Sequence, residues 1–460
     1  MIVIGGGLAG LSSAVVLAEA GFAVRLLEKR PHLGGRATSY VLPTGEHVDN
    51  CQHVTMGCCT NLDDFYRRVG SAGMIRYYDR LYFQDARGRR GVIEASALSA
   101  PFHLAPSFLL FPSLTWADKT AIARAMLAIV KSQGPPPDAS GITMLEWLKR
   151  HGQTPGAIER FWRAVLVSAL DEELDRTDAR YGVDVFWKAF LANRRGFEVG
   201  IPSVPLGELY EGCRAAIEQR GGEVRTRAGV QEIHTSEEEV TELAMEDGST
   251  LTADVYLCAV PHDVLLGLLP LSFIKRDETI AGLHNLRTSP ITGIHLWFDR
   301  PVMSVPFLTL LDHTTQWIFN KTRLYGDAQG NGQYLQLVVS ASYDLVARSR
   351  QDIIDLCRRE LADVLPGTRD ATLVRATVIK EVSATFSPAP DSDRWRLPQR
   401  TGLRNLFLAG DWTRTGWPAT MEGAVRSGYL AAEAILDAEG RRQQFLQDDL
   451  PVEGFARRWA

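Results

Sequence analysis

The sequence predicts an α/β fold: a Rossmann-type domain assembled from discontinuous segments, with an α+β domain inserted between them. Three observations predict it. The chain opens on an apolar strand, a glycine turn and an apolar helix. A second strand–loop–helix pattern follows residue 405. Between them lies a long stretch of different patterning, and 460 residues exceed the usual span of one domain.

Residues 2–4 read as a short buried strand, 8–21 as a helix and 23–28 as a second strand, which is a βαβ opening and implies a parallel sheet. Residues 115–131 and 143–170 read as helices, separated by the hard break Pro135-Pro136-Pro137. Short strands follow at 223–227, 240–245 and 250–257, the last two joined by the hairpin turn Glu246-Asp247-Gly248. Further strands are predicted at 292–298, 317–320 and 334–340, then a helix at 350–365. A strand at 405–409 and a helix from about 420 to 438 close the pattern. The expected division is 1–75, 200–265 and 396–440 for the first domain and 76–199 and 266–395 for the inserted one, with 441–460 as a tail.

Composition excludes several classes of function. Hydrophobic residues make up 45% and charged residues 23%, which rules out a disordered or fibrous chain. A formal charge of −5 without a long basic block argues against nucleic acid as a partner. Six cysteines without a CxxC pair indicate neither a disulfide framework nor a zinc site, which fits a reducing, cytoplasmic compartment. Asp63-Asp64 and Glu237-Glu238-Glu239 read as solvated faces, so no metal is expected, and Cys58-Cys59 as a buried pair of small residues. The N-terminus has no signal-peptide pattern, since Met1 leads directly into Ile2-Val3-Ile4. Residues 95–117 carry no charge and hold the cluster Phe108-Leu109-Leu110-Phe111. Pro101, Pro106 and Pro112 argue against a spanning helix there. The segment reads as an apolar loop, either buried in the core or dipping into a membrane surface.

Gly5-Gly6-Gly7-Leu8-Ala9-Gly10 satisfies G-x-G-x-x-G with a strand before it and a helix after it. Gly5 permits the tight turn, Gly7 lets backbone approach a pyrophosphate, and Gly10 lets helix and strand pack closely. The N-termini at Leu8 and Ala9 then face the phosphates. Glu28 ends the second strand, followed by Lys29, where a carboxylate accepts hydrogen bonds from ribose hydroxyls and disfavours a 2′-phosphate. Leu33-Gly34-Gly35-Arg36 offers a second close backbone approach and a guanidinium. Toward the other end, the predicted strand runs into Gly410-Asp411, and a helix opens at Thr420-Met421-Glu422-Gly423-Ala424. That second helix N-terminus can stabilise negative charge on the edge of a reduced flavin.

These motifs resemble those of the FAD-binding amine oxidase and phytoene desaturase superfamily over nearly the whole chain. Within it the chain is similar to the bacterial squalene-associated desaturase-like enzymes, the hydroxysqualene dehydroxylases of hopanoid and squalene biosynthesis. The segments that carry this are Asp49-Asn50-Cys51-Gln52-His53-Val54, Asp64-Phe65-Tyr66-Arg67-Arg68, Ser168-Ala169-Leu170-Asp171-Glu172-Glu173 and Ile201-Pro202-Ser203-Val204-Pro205-Leu206. Cys51 departs from the pattern, which often has Gly there. The resemblance implies an amine-oxidase-like fold and FAD, held non-covalently because no cysteine follows Cys357. It places Gly5, Gly7, Gly10, Gly34, Gly35 and Arg36 at the pyrophosphate, Glu28 at the adenosine ribose, Val230 at adenine, Asp411 at the ribityl–phosphate region and the Met421 N–H at the flavin O2.

It further implies a C30 isoprenoid substrate, an external electron donor that the sequence does not name, and contact with the inner face of the cytoplasmic membrane through 95–117. The reaction implied is loss of an allylic hydroxyl as water and hydride delivery to the carbon. For the proton donor the candidates are His53, which in relatives passes close to the flavin, and the adjacent acids Asp171 and Glu172, whose place before a loop suggests solvation. Tyr66, Trp162, Phe186, Trp187, Trp297, Phe319 and Trp417 are candidates for a cation-stabilising face. A carotenoid-type desaturase, an amine oxidase and a non-catalytic lipid escort are the alternatives. Against an amine oxidase, Gly293 stands where many of those enzymes carry a strand lysine.

Overall fold

The apolar run Ile2–Ile4 is a three-residue strand buried on both faces at the centre of a parallel sheet. The computed structural model describes residues 1–43, 45–326 and 332–459. Five parallel strands lie in the order Glu223–Thr226, Arg25–Glu28, Ile2–Ile4, Tyr256–Cys258 and Leu406–Leu408. One face packs its Val3, Leu26, Leu257 and Phe407 against the helices Leu8–Glu19, Glu211–Glu218 and Met421–Ala438. The other face packs Ile4, Leu27, Tyr256 and Leu408 against the antiparallel sheet of Val230–Thr235, Val240–Met245 and Thr250–Leu251. This is the doubly covered parallel sheet that continuous apolar strands require. Its strands come from both ends and the middle of the chain.

The second sheet has seven strands, ordered Leu373–Phe386, Thr288–Phe298, Gln333–Val339, Trp317–Asn320, Phe307–Leu311, Arg80–Asp85 and Arg90–Glu94. Alternation splits its faces. Ile294, Leu296, Leu335 and Leu337 pack on the helix Arg350–Val364. Ile291, Trp317, Phe319 and Val338 face a large cavity shared with the parallel sheet. A helical layer, residues 116–192, closes the far side around Trp147, Trp162 and Phe186.

Two predicted elements divide. The helix expected over 143–170 is broken once: Met144–Arg150 is followed by a turn at Gly152, whose φ is +63°, and a new start follows at Pro155–Ala157, capped by the Thr154 hydroxyl. Ile158–Arg163 is wound as a π-helix and runs directly into Ala164–Leu170. The strand expected over 250–257 is the hairpin strand Thr250–Leu251 and the separate parallel strand Tyr256–Cys258.

The apolar segment is also more structured than a loop. It contains the helix Ala105–Leu110, with Pro106 in its first turn, where a missing N–H costs nothing. The helix Trp116–Ser132 follows, opened by a reciprocal Thr115/Asp118 cap. Of the four-residue cluster, Phe111 is core, edge-on to Phe83 at 5.3 Å, whereas Leu109 and Leu110 are 47% and 83% exposed. No helix among the described residues is long and apolar enough to cross a membrane.

Residues 441–453 form an irregular strap. Gln447 pairs through its backbone with the Asn61 side chain, Asp449 with Arg426 and Lys188, and the Glu453 N–H donates to the Ala192 carbonyl. Phe455, in the turn of helix Gly454–Trp459, touches Phe102.

Candidate active site

The cavity has a volume of 760 Å³ and runs from the glycine turn to the seven-stranded sheet. At its first end the chain turns at Gly5, φ +105°, and Gly7 bridges to Gly34 in parallel fashion. A Cβ on Gly35, whose φ is +62°, would stand 3.0 Å from the Gly7 Cα, so that position needs glycine for the walls to close. Gly5, Gly7, Leu8, Ala9, Gly34, Gly35 and Arg36 all line the cavity. Gly10 does not: a Cβ there would collide with the Gly5 carbonyl, so its part is helix–strand packing and not a pyrophosphate contact.

Glu28 is buried at the strand end, where its carboxylate accepts from the Gly6 and Arg30 N–H groups, both at 2.7 Å. It therefore ties the glycine turn to the position a ribose would occupy. Lys29 sits at the rim, paired with Glu246 at 2.6 Å, and Val230 lines the same end. Arg36 and Asp411, expected to touch different parts of one ligand, hold one another at 2.8 Å, with a second Arg36 N–H donating to the Ala384 carbonyl. Gly410, Asp411, Thr420 and Met421 line the cavity, and the Thr420 hydroxyl caps the helix whose first residue is Met421.

At the second end the three predicted acid–base residues separate. Asp171 lines the cavity, 4% exposed, where its two oxygens accept from the Ala341 N–H at 2.7 Å and the Thr385 hydroxyl at 2.9 Å. Burial pushes its carboxyl up to about 8, despite both hydrogen bonds, so it holds a proton at neutral pH. Glu172 is fully buried and points elsewhere, accepting from the Tyr343 hydroxyl at 2.7 Å and the Glu173 N–H at 3.0 Å. The expectation that both acids are solvated fails because Asp171 takes φ +53° and ends the helix beneath the seven-stranded sheet. Glu172 has no access to the cavity chemistry. His53 is half-buried on the cavity wall. Its Nδ1 is 3.0 Å from the Cys51 carbonyl, which can only accept, so Nε2 is the ring's acceptor. Burial lowers its pKa and keeps the ring neutral.

Sequence reasoning missed Asp49 and Lys321. They form a fully buried ion pair at 2.7 Å, and Lys321 also donates to Gln52, a cavity residue. Ser39, Tyr325 and the Leu206 N–H complete the Asp49 shell. Burial depresses the Lys321 pKa, opposed by Asp49. Nothing local in the sequence pairs positions 49 and 321; only the tertiary packing does.

The residues present fit an extended dinucleotide. Two opposed glycines leave a backbone-lined slot, two helix N-termini point at the cavity, and a buried carboxylate stands at the strand end. Residues 8–436 match the family described as flavin containing amine oxidoreductase. The chain belongs to that family. It binds FAD, and the fold is amine-oxidase-like. The chain is 28% identical over 479 residues to a zeta-carotene desaturase of Synechocystis, covering 96% of this chain and 98% of that protein. It is 28% identical over 460 residues to a 15-cis-phytoene desaturase of an Oncidium hybrid, covering 95% and 77% respectively. Cyclohexylamine oxidase from Brevibacterium oxydans superposes with a TM-score of 0.70 at 15% identity, covering 96% and 99%, a likeness of fold.

Within this family the chain is an oxidoreductase. At Gly293 the backbone lies against Asn50 and Cys51, a Cβ there being 3.2 Å from the Asn50 carbonyl oxygen. A side chain at that position would press on the segment Asn50–Cys51, part of which lines the flavin cavity.

Proposed function

We propose that the protein is an FAD-dependent enzyme that removes the hydroxyl of hydroxysqualene to give squalene. The single observation that carries this reading is Asp171, a carboxyl on the flavin cavity that burial keeps protonated. An allylic hydroxyl leaves as water only when it receives a proton, and a neutral buried acid is suited to giving one. When bound and reduced, FAD supplies the hydride that replaces the hydroxyl. His53 Nε2, a neutral acceptor, can hold the hydroxyl or the departing water in place.

The hydrocarbon has a place on the same helix. Half-buried Phe161, Ala164 and Val165 line a second cavity of 260 Å³, whose other walls include Phe108, Phe186 and Phe190. One turn on, Ser168 and Ala169 line the flavin cavity, and Asp171 ends the helix. From Phe161 to Asp171 the rise is about 15 Å. A long apolar chain with one polar carbon suits that succession. Phe102 and Leu127 line the 260 Å³ cavity and are themselves surface-exposed, as are Leu109, Leu110 and Trp116 nearby. On this reading the patch rests on the inner face of the cytoplasmic membrane, from which the C30 substrate enters, and an external reductant restores the flavin.

A second reading, desaturation of a carotenoid-type polyene, is favoured by the two desaturases similar over nearly all of this chain. The two separate in one experiment. Photoreduced enzyme mixed anaerobically with hydroxysqualene should yield squalene as the flavin reoxidises. Oxidised enzyme that instead bleaches with a C40 polyene, while reduced enzyme leaves hydroxysqualene untouched, would replace the first reading by the second.

A further inference from the structure

We propose that Trp317 is a catalytic residue whose indole face stabilises the allylic cation, and that Ser168 is the residue that positions it. This rests on the dehydroxylation reading above.

Trp317 lines the flavin cavity and is half-buried. Three contacts fix its ring, one of them with Phe307, tilted by 39° at 5.9 Å between centroids. Its Nε1–H donates to the Ser168 hydroxyl at 2.8 Å, and that hydroxyl donates in turn to the Ala164 carbonyl at 3.0 Å. Beside it on the same cavity wall, Phe319 is parallel within 9° at 5.6 Å between centroids. An aromatic ring held by its edge and packed on its neighbours keeps one orientation on the cavity wall, so none of its rotamer freedom is lost at each turnover.

Both elements that hold Trp317 also hold Asp171. Ser168 precedes Asp171 by three residues on one helix, a separation of about 5–6 Å. Across the sheet Trp317 is in register with Val338. Two residues farther, about 6.6 Å along that strand, Ser340 is clamped to Gln316 by hydrogen bonds of 2.9 and 3.0 Å, and the next N–H, of Ala341, donates to Asp171. The helix and the strand thus give the same answer: the indole and the acid are one repeat apart on one cavity wall.

The charge requirement is explicit. The carbon–oxygen bond breaks with both electrons leaving on oxygen, and the Asp171 proton makes that oxygen water. The allylic carbon is positive until a hydride from the reduced cofactor forms the new carbon–hydrogen bond. Trp317 forms no bond; its ring quadrupole favours the positive carbon over the neutral alcohol. Other aromatic candidates are otherwise engaged. Arg375 covers Trp297 at 3.9 Å, Lys188 covers Trp417 at 4.8 Å, and Trp162 and Phe186 are core residues of the helical layer. Tyr66 is buried among the helices behind the parallel sheet, and Trp187 is in the helical core.

The test is site-specific replacement of Trp317 by mono- to tetrafluorotryptophan, which keeps shape and hydrogen bond while emptying the ring face of negative potential. With hydroxysqualene and reduced enzyme, kcat should fall stepwise to about one-thirtieth while KM stays constant. Ser168→Ala should lower kcat several-fold and Ser168→Thr restore it. A parallel measurement needs no turnover: the holoenzyme should bind an allylic polyprenyl ammonium ion more tightly than its neutral isostere, and fluorination should erase the preference. A fluorinated series with unchanged kcat and unchanged ammonium preference overturns the role of Trp317. Wild-type enzyme that leaves hydroxysqualene untouched overturns the reaction itself, and the ammonium measurement still decides whether Trp317 receives a cation.

Discussion

At the nucleotide end of the cavity the walls are backbone: Gly5, Gly7 and Gly35 with their neighbours' N–H groups, braced by Glu28. At the far end they are side chains: Asp171 and Trp317, each oriented by a partner far away in sequence, and His53, held by the Cys51 carbonyl two residues before it. Backbone donors keep their polarity at every pH and hold a ligand by shape. Side chains carry a protonation state that burial sets, so they hold reactivity. One half of the site therefore binds under conditions in which the other half has stopped working.

Asp171→Asn tests that contrast most severely. Its kcat for dehydroxylation should drop by roughly 10²–10⁴, with FAD content unchanged in the purified variant. In the wild type the rate should fall as pH rises through about 8, since only the protonated carboxyl donates. Stability should carry the same signature. The native carboxyl is protonated over a range where the unfolded one is not, so wild-type stability declines as pH rises from the ordinary aspartate range to about 8. Asp171→Asn should lack that decline in urea titrations across the same window. A variant retaining near-wild-type turnover would place the proton donor elsewhere.

Glu28→Ala addresses the other half. Losing a charged acceptor should weaken FAD binding by about 1.5–3 kcal/mol, read as a rise in the FAD dissociation constant by fluorescence quenching. The apolar segment divides in the same manner: Phe111→Ser should cost about 3 kcal/mol or more in folding stability. Leu109→Ser with Leu110→Ser should leave the melting temperature alone and weaken binding to anionic vesicles. Vesicle binding indifferent to the double substitution would remove the membrane from the account. The smallest expected effect on chemistry belongs to Glu172→Gln, within about threefold in kcat, because its carboxylate is bonded to Tyr343 outside the cavity.

The asymmetry between the halves also explains what could be read from the chain. The glycine turn, Glu28, the second glycine pair and the Met421 helix are local patterns whose geometry follows from a few consecutive residues. The shared Arg36–Asp411 pair and the packing part of Gly10 are consequences of proximity that spacing does not express. Asp171 and Glu172 are indistinguishable as neighbours in sequence. A single residue in the left-handed region sends one to the cavity and leaves the other in the core. Trp317 carried no signal among ten tryptophans, because its meaning comes from Ser168, 149 residues away. The helix expected to run unbroken through 143–170 missed Gly152 and Pro155, where the chain breaks and restarts.

The first helix of the protein, Leu8–Glu19, packs on its last long one, Met421–Ala438, so closely that a Cβ on Gly428 would collide with Ser12. During synthesis the N-terminal βαβ unit must therefore wait for some 400 residues to be translated, roughly 20–80 s at ribosomal speed. Throughout that time Leu11, Val15 and their neighbours lack the surface they are meant to meet. The flavin cavity, to which Met421 of that last helix contributes, is therefore complete only when both helices are in place.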